Sequence, residues 1–398
     1  MLKPRLSAAL LALSFAWSGA SAQRPASPVR QPSGVELSGL PALNFDADEG
    51  LGYGAILAVY DYGAGAVPYR YTLQPTVFLT TKGRRDFTLF LDAPALLPRQ
   101  WRLSAFAGRE QQLATPYYGL GNSTRYDTLL EKNGAPYYYR FGRDRLRASA
   151  DLQHSIGHPA ARLLIGAGVS REVIDLTPFD SGSTLIAAER AGRPSPTGHT
   201  NYLRAGLIWD TRDNEIGPHS GTWADVIVQR VIAPLGASND YTRYTATYRR
   251  YQPIGNRMTF AQRILAQESR GDVPFYDLAT IQTEFKPQDG LGGSGTVRGL
   301  PKDRYTGKGL VVSNSELRWR AGEFSLLGRS SALVLSGFVD AGRVWSDKLD
   351  LSTAFEDLHA GYGGGARLAF GSSFVVAVDV GHSSQSTAPI YIGLGYMF

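Results

Sequence analysis

An alternation of apolar residues with polar or small ones, repeated in short segments from Val35 onward, is the strongest constraint on how this chain folds. Successive side chains of an extended strand point to opposite faces, so the pattern predicts strands that are apolar on one face only. In the clearest segments Leu203, Ala205, Leu207 and Trp209 alternate with Arg204, Gly206, Ile208 and Asp210, and Ile390, Ile392, Leu394, Tyr396 and Phe398 alternate with Tyr391, Gly393, Gly395 and Met397. A soluble sandwich would alternate as well. Here the polar faces carry isolated Arg, Glu and Asp beside glycines, which favours the crowded polar lumen of a transmembrane barrel.

The number of segments and the lengths of their connections predict the architecture. Sixteen segments can be delimited, at 35–45, 51–62, 69–81, 85–93, 100–112, 137–156, 161–176, 199–211, 221–234, 241–252, 257–269, 311–321, 331–343, 361–370, 373–383 and 389–398. If the chain starts in the periplasm, the four long connections, 113–136, 177–198, 270–310 and 344–360, all lie outside the cell. Long external loops and short periplasmic turns are typical of outer-membrane barrels. The sequence therefore predicts an all-β fold, a 16-stranded antiparallel transmembrane β-barrel over residues 35–398.

The first residues predict export to the bacterial outer membrane. Lys3 and Arg5 precede an apolar run at 6–17 that is too short to span a bilayer, and Ala20-Ser21-Ala22 fits a cleavage site. We expect a signal peptide at 1–22 and a short disordered periplasmic tail at 23–34, which is rich in Pro, Ser and Arg. The chain has no cysteine, which excludes a lipoprotein anchor, disulfides and thiolate metal sites.

Charge and motifs argue against nucleic-acid binding and catalysis. The chain carries 41 Lys and Arg against 35 Asp and Glu, and removing Lys3 and Arg5 with the signal leaves a net charge near +4. This excess is too small to indicate a nucleic-acid partner. There is no Gly-x-Ser-x-Gly sequence, and no Walker lysine follows the glycines at 292–295. Of the six histidines only His154 and His158 have a metal-type spacing, and that spacing suits a metal only on a helix, whereas this pair lies at a predicted strand end and turn. We expect no enzymatic activity, no catalytic residues, no cofactor and no metal.

A glycine-rich stretch at 292–300 contains one charged residue, Arg298. Glycines permit close backbone approach, and a long donor could hold such a loop inside a polar lumen. Glu316 and Asp340 fall on lumen-facing positions of neighbouring predicted strands, and a guanidinium could satisfy both with its fork of donors. The residues alone leave a second interpretation open, in which these carboxylates pair with Arg318 or Arg343.

Four stretches in order resemble the Omp85 superfamily (BamA/TamA, bacterial surface antigen D15), and the resemblance covers nearly all of the chain after the signal. They are Val297-Arg298-Gly299-Leu300, Asn314 to Arg318, Gly337 to Trp345, and Asp210-Thr211-Arg212-Asp213-Asn214 with Pro218 and Gly221. The first resembles that family's Val-Arg-Gly-aromatic motif in the sixth external loop. The resemblance implies an in-folded external loop held by a loop lock, by which we mean Arg298 with Glu316 and Asp340. Asp210, Arg212, Asp213 and Asn214 form the turn motif.

The chain departs from the family pattern at two places. Leu300 stands where the family usually has Phe or Tyr. Only about a dozen residues lie between the predicted signal and barrel, where the family usually carries POTRA domains, so a short member lacking them is expected. Tyr396 and Phe398 resemble the aromatic terminal strand that barrel-assembly machinery recognises, which predicts a C-terminal assembly signal.

Function is predicted from the family resemblance. Relatives insert or translocate proteins through a lateral seam between the first and last strands, and Gly393 and Gly395 would weaken packing there. The expected partners are outer-membrane lipids and lipopolysaccharide, the barrel-assembly machinery during biogenesis, client proteins and a second copy of the chain. The alternatives are a passive pore or small-solute channel, and a structural dimeric barrel with surface-exposed loops.

Overall fold

A computed structural model describes residues 33–46, 50–66, 69–94, 100–180, 182–191, 196–284, 287–326, 329–370 and 374–398. The predicted signal peptide at 1–22 and nearly all of the predicted tail at 23–34 lie outside the described residues.

Sixteen antiparallel strands form one large sheet, which confirms the predicted 16-stranded barrel. They are β1 Gly34–Asp46, β2 Gly50–Gly63, β3 Tyr71–Thr80, β4 Arg84–Ala93, β5 Trp101–Pro116, β6 Arg140–Ser155, β7 Ala161–Asp175, β8 Tyr202–Asp210, β9 Gly221–Val231, β10 Tyr241–Ile254, β11 Met258–Gly271, β12 Gly309–Leu326, β13 Arg329–Trp345, β14 His359–Phe370, β15 Phe374–Ser383 and β16 Ile390–Leu394. A three-residue strand, Thr197–His199, adds a further pairing on β7.

Side chains alternate between the outside and the lumen as the sequence predicts. On β8, Leu203 is 50% exposed, whereas its neighbour Arg204 is 5% exposed. Leu317 and Trp319 of β12 are likewise exposed, while Glu316, at an inward position of the same strand, is fully buried. The apolar faces therefore point outward and the polar faces enclose the core, as expected for a barrel with lipid outside.

The four longest connections leave the same end of the barrel. They are residues 117–139, 176–201, 272–308 and 346–358, and each follows an odd-numbered strand. They contain three short helices, α1 Thr128–Lys132, α2 Leu185–Glu189 and α3 Phe275–Leu278, and a two-residue hairpin, Thr280–Ile281 with Gln288–Asp289. Within the part of the chain that the structure describes, no helix is long and apolar enough to cross a membrane.

The junction between β1 and β16, which we call the seam, differs from every other strand junction. The two strands lie side by side, yet no ladder of the described residues joins them, whereas each other neighbouring pair forms one. β16 has only five residues and ends at Leu394. The seam is therefore the weakest line in the wall.

The predicted terminal strand over 389–398 is wrong in its second half. The strand ends at Leu394, because Gly395 adopts a left-handed conformation (φ +79°) that turns the chain away. Tyr396 and Phe398 consequently do not share the outward face of Ile390 and Leu394. Phe398 is buried, and its backbone oxygen accepts a hydrogen bond from Arg318 Nη2 at 2.9 Å inside the barrel.

Candidate functional site

The connection at 272–308, which we call the lumen loop, folds into the barrel, and many of its described residues are buried against the wall. Its glycine-rich part is shaped by Thr296, whose hydroxyl accepts from the Gly292 amide at 2.8 Å and donates to the Gly290 carbonyl at 2.7 Å. Gly292 has φ +117°, a backbone conformation that residues other than glycine rarely adopt. Apolar residues then anchor the loop on the wall, in one buried cluster: Leu265, Ile281, Leu291, Val297, Leu300, Tyr305, Leu310, Val312 and Val344.

Arg298 is fully buried and makes three of its hydrogen bonds with Asp340 on β13. Its Nε lies 2.8 Å from Asp340 Oδ2, and its Nη2 lies 3.0 Å from Asp340 Oδ1. The Arg298 backbone amide also donates to Oδ2 at 3.1 Å. Two parallel bonds between a guanidinium and a carboxylate fix both distance and orientation, so this contact positions the loop as well as balancing charge.

The same guanidinium reaches two more acidic side chains and one aromatic ring. Arg298 Nη1 donates to Glu316 Oε1 at 2.7 Å and to Asp379 Oδ2 on β15 at 3.1 Å. The guanidinium carbon Cζ of Arg298 lies 3.4 Å from the ring centre of Phe338 on β13, so the arginine makes a cation–π contact with this ring. Leu300 instead joins the apolar cluster, so the aromatic partner comes from the wall and not from the loop.

Two wall arginines complete a buried cluster of three cations and three carboxylates. Arg318 donates to Glu316 Oε2 at 2.8 Å, and Arg367 binds Asp379 through both terminal nitrogens. Both interpretations of the sequence are thus partly realised, since Glu316 pairs with Arg298 and with Arg318. Arg343 donates to loop carbonyls of Thr353 and Glu356 instead. Matching charges are needed because an unpaired buried ion costs several kcal/mol.

The backbone at the tip of the loop closely approaches the backbone of the wall. Gly299 has φ +100°, and a Cβ there would lie 2.6 Å from the His382 carbonyl carbon on β15. A Cβ on Gly361 of β14 would collide with the Arg298 carbonyl oxygen. The Gly299 amide donates to the Tyr391 hydroxyl on β16 at 3.0 Å. The loop tip therefore contacts one of the two strands of the seam.

Three further arginines on the wall hold carbonyl groups of the lumen loop, and the sequence analysis missed them. Arg204 donates to the Thr283 carbonyl at 2.7 Å, Arg243 to the Asp277 carbonyl at 2.9 Å, and Arg263 to the Gly295 carbonyl at 2.7 Å. Each lies at an inward position of its strand, which was the available signal. Inward arginines are numerous, however, and the sequence does not say which of them meet the loop.

The turn motif organises the connection between β8 and β9 at the opposite end of the barrel. Arg212 binds Asp210 through two nitrogens, at 2.9 and 3.0 Å. Asp213 Oδ1 accepts from the His219 and Ser220 amides, and Asn214 Oδ1 accepts from the Ile216 amide at 2.8 Å. These bonds satisfy the backbone of a ten-residue turn that forms no ladder of its own.

Glu215, next to the motif, fastens this turn to the wall. Arg102 on β5 donates to both Glu215 oxygens at 2.9 Å and also binds Asp92. Burial raises the pKa of the Glu215 carboxyl, but the charge and hydrogen bonds of Arg102 and the charges of Arg212 and Arg162 together outweigh burial, so this pKa lies below its usual value. The turn therefore carries an ion pair whose partner lies more than a hundred residues away in sequence.

The terminal residues pack between this turn and the cluster. Phe398 lies against Tyr251 and Ala261, and Arg318 lies 4.3 Å above the ring of Tyr396. Tyr396 also lies so close to Gly217 of the turn that a Cβ on that glycine would be 3.0 Å from its ring. Both predicted assembly-signal residues are therefore inside the barrel in this conformation.

The comparisons with known proteins agree with this architecture. The profile of the Omp85 superfamily domain matches residues 77–398. Among solved structures, BamA from Haemophilus ducreyi lacking POTRA domains 1–3 is similar with a TM-score of 0.57 and 14% identity, covering 92% of this chain and 70% of that one. CdiB from Escherichia coli has a TM-score of 0.58 and 12% identity, covering 94% of this chain and 64% of that one.

CdiB from Acinetobacter baumannii is also similar, with a TM-score of 0.50 and 11% identity over 91% of this chain and 64% of that one. This chain thus spans less than two thirds of either CdiB chain. A sequence comparison with curated proteins gives no match. The structural likenesses are low in identity and establish the fold, while the family profile spans most of the chain. On that match, the chain belongs to the Omp85 superfamily.

Proposed function

We propose that this barrel lies in the outer membrane of a bacterium and helps other polypeptides insert into or cross that membrane through its seam. The observation that carries the proposal is that the described residues of β1 and β16 form no ladder with each other. A polypeptide edge can add to a strand only where backbone donors and acceptors are not already paired. The proposal assigns no covalent chemistry and no cofactor to the barrel.

The closing strand supports this proposal. With only five residues, β16 offers few backbone bonds to any neighbour, and Gly395 ends it without steric cost. Its residue Tyr391 accepts a hydrogen bond from the lumen-loop amide of Gly299. We propose that the lumen loop fixes the strands β13, β14 and β15 and this tyrosine in place. The wall then stays rigid on one side of the seam while the seam opens.

Cysteine crosslinks across the seam test the proposal directly, since the chain has no cysteine of its own. Pairs would join Val35 or Leu37 of β1 with Ile392 or Leu394 of β16, and oxidation would identify the pair that closes. The readout is the abundance of other β-barrels in the outer membrane of cells whose only copy is the crosslinked variant. We expect that abundance to fall when the seam is closed and to recover with reductant.

A matched control crosslinks two strands that a ladder already joins. Leu207 and Val226 are directly opposite on β8 and β9 and are both exposed outward. Their disulfide should leave client levels unchanged. Unchanged levels with the seam itself fully crosslinked would exclude lateral opening.

A passive pore is the second candidate, and it makes an opposite prediction. The lumen loop and the ion cluster lie in the interior and obstruct it. If the barrel acts in insertion and not as a pore, we therefore expect little solute to pass through it. Swelling of proteoliposomes in isosmotic sugars at the rate of an open porin, unaffected by the seam disulfide, would favour a channel. A barrel that neither conducts nor changes client levels would favour the structural, dimeric alternative.

A further inference from the structure

The outer wall carries a cavity of about 710 Å³ where β2 to β5 meet the overhanging loops. Its floor is formed by outward side chains in direct cross-strand register, Tyr53 on β2, Leu79 on β3 and Arg85 on β4. Leu113 on β5 lies beside them. Because these residues point outward, the cavity lies on the outside of the barrel, at the end from which the long loops leave.

Two aromatic residues from different loops form the roof. The rings of Tyr137 and Phe179 stack with centroids 4.5 Å apart. Phe179 has φ +59°, which is uncommon for a residue with a bulky side chain, and it remains 49% exposed. A strained and exposed aromatic residue over a cavity is a feature that binding sites often show.

The cavity is strongly cationic. It is lined by Lys82, Arg84, Arg85 and Arg140 but by only one acidic residue, Glu131. Arg84 is engaged by Asp86 at 2.7 Å, and Arg140 lies 3.7 Å from Glu131. Arg85 is exposed and forms no ion pair within the described part of the chain. An anion therefore has at least one free guanidinium to bind.

Below the cavity the wall is apolar. Val77 on β3 and Phe87 and Leu89 on β4 are exposed on the same outward face as Leu79 and Arg85. A ligand that fits both regions has a negatively charged head at the cationic level and hydrocarbon chains along this face.

We infer that the cavity binds the phosphorylated headgroup of an outer-leaflet lipid, with the acyl chains lying along the exposed wall of β3 and β4. A free sugar phosphate would use the cations but leave the apolar face uncovered. The inference rests on the outer-membrane placement proposed above and not on opening of the seam. It can therefore fail while the insertion role stands, and the reverse also holds.

Binding can be measured on the purified, folded full chain in a neutral detergent by native mass spectrometry. The probes are diphosphorylated lipid A, lipid A with both phosphates removed, and glucosamine 6-phosphate. We expect retained adducts of the diphosphorylated lipid and weaker binding of the dephosphorylated one. Glucosamine 6-phosphate should bind far less than the lipid, because it lacks the acyl chains.

Arg85→Gln should weaken binding of the diphosphorylated lipid about fivefold, and Lys82→Gln with Arg85→Gln should weaken it further. Arg171→Gln is the matched control, since Arg171 is an exposed arginine on the outward face of β7 and does not line the cavity. Equal losses for Arg85→Gln and Arg171→Gln would overturn the assignment. Equal binding of both lipids, or of the soluble sugar phosphate, would overturn it as well.

Discussion

Replacing Arg298 with alanine tests whether the loop lock holds the lumen loop in place. The substitution removes the side chain that joins the loop to three carboxylates on three strands. The backbone bond from the Arg298 amide to Asp340 can persist, but the forked contact cannot. We expect the glycine-rich part of the loop to leave the wall.

The magnitude follows from what each carboxylate retains. Glu316 keeps Arg318 at 2.8 Å, and Asp379 keeps Arg367 at 2.9 Å. Asp340 keeps the Asn314 side-chain amide at 2.8 Å and the backbone amide of residue 298, but it becomes a fully buried carboxylate with no ion-pair partner among the described residues. Breaking one buried pair in this way costs about 3 kcal/mol. The loss is therefore dominated by Asp340.

Two readouts separate loop release from general destabilisation. Heat-modifiable gel mobility reports the folded barrel, and trypsin reports the loop, because Lys302 and Arg304 are only 5% and 3% exposed. Arg298→Ala should lower the temperature of the mobility change and open both trypsin sites. Arg102→Ala is the control, since Arg102 is also a buried arginine but holds the turn and not the loop. It should lower stability and leave the trypsin sites closed.

Second-site variants identify the carboxylate responsible. Asp340→Asn combined with Arg298→Ala should recover part of the loss, because it removes the orphaned charge. Arg298→Lys should rescue only partly, since an ammonium cannot make the two-pronged contact. If Arg298→Ala leaves both mobility and trypsin access unchanged, the loop is not locked and the reasoning is wrong.

Two more predictions concern the loop tip and the turn. Gly299→Ala should expose the trypsin sites, because residue 299 has a positive φ and its new Cβ would press on the His382 carbonyl. Gly295→Ala is the control and should not expose them, because nothing lies within 4 Å of a Cβ there. Equal effects of the two substitutions would contradict this account. The pKa of Glu215 is lower in the folded protein than its usual value, so the stability it contributes is complete above the unfolded pKa and is lost as the pH falls through the folded one. Glu215→Gln should thus reduce the pH dependence of thermal unfolding below about pH 4.3; an unaltered dependence would show that the pair with Arg102 contributes nothing.

Several features were predictable from sequence because they depend on local periodicity. Alternation along a strand fixes which side chains face the lumen, so Glu316 and Asp340 could be assigned to it without coordinates. Loop lengths fixed which end of the barrel carries the long connections. The glycines around Arg298 predicted a loop that approaches other backbone closely, and the structure shows this where Gly299 lies against the His382 carbonyl and the Arg298 carbonyl lies against Gly361.

Other features depend on how distant strands are staggered and were therefore decided by the tertiary structure. Asp379 and Arg367 join the cluster because β14 and β15 follow β13 around the wall at the height that the loop tip reaches. Periodicity predicts which charged side chains face the lumen, but it does not predict where each of them lies along the barrel axis. The same holds for Arg204 and the other wall arginines that hold loop carbonyls.

The terminal residues show the limit most clearly. Alternation alone continues the last strand through Tyr396 to Phe398, and in sequence the pattern is unbroken. The chain turns inward at Gly395 because no ladder among the described residues joins it to β1, while Arg318 donates a hydrogen bond to the Phe398 backbone oxygen inside. The sequence by itself determined the strands, their faces and the glycine that permits the turn. Only the assembled barrel decided that the turn is made, because the competing partners lie on strands far apart in the chain.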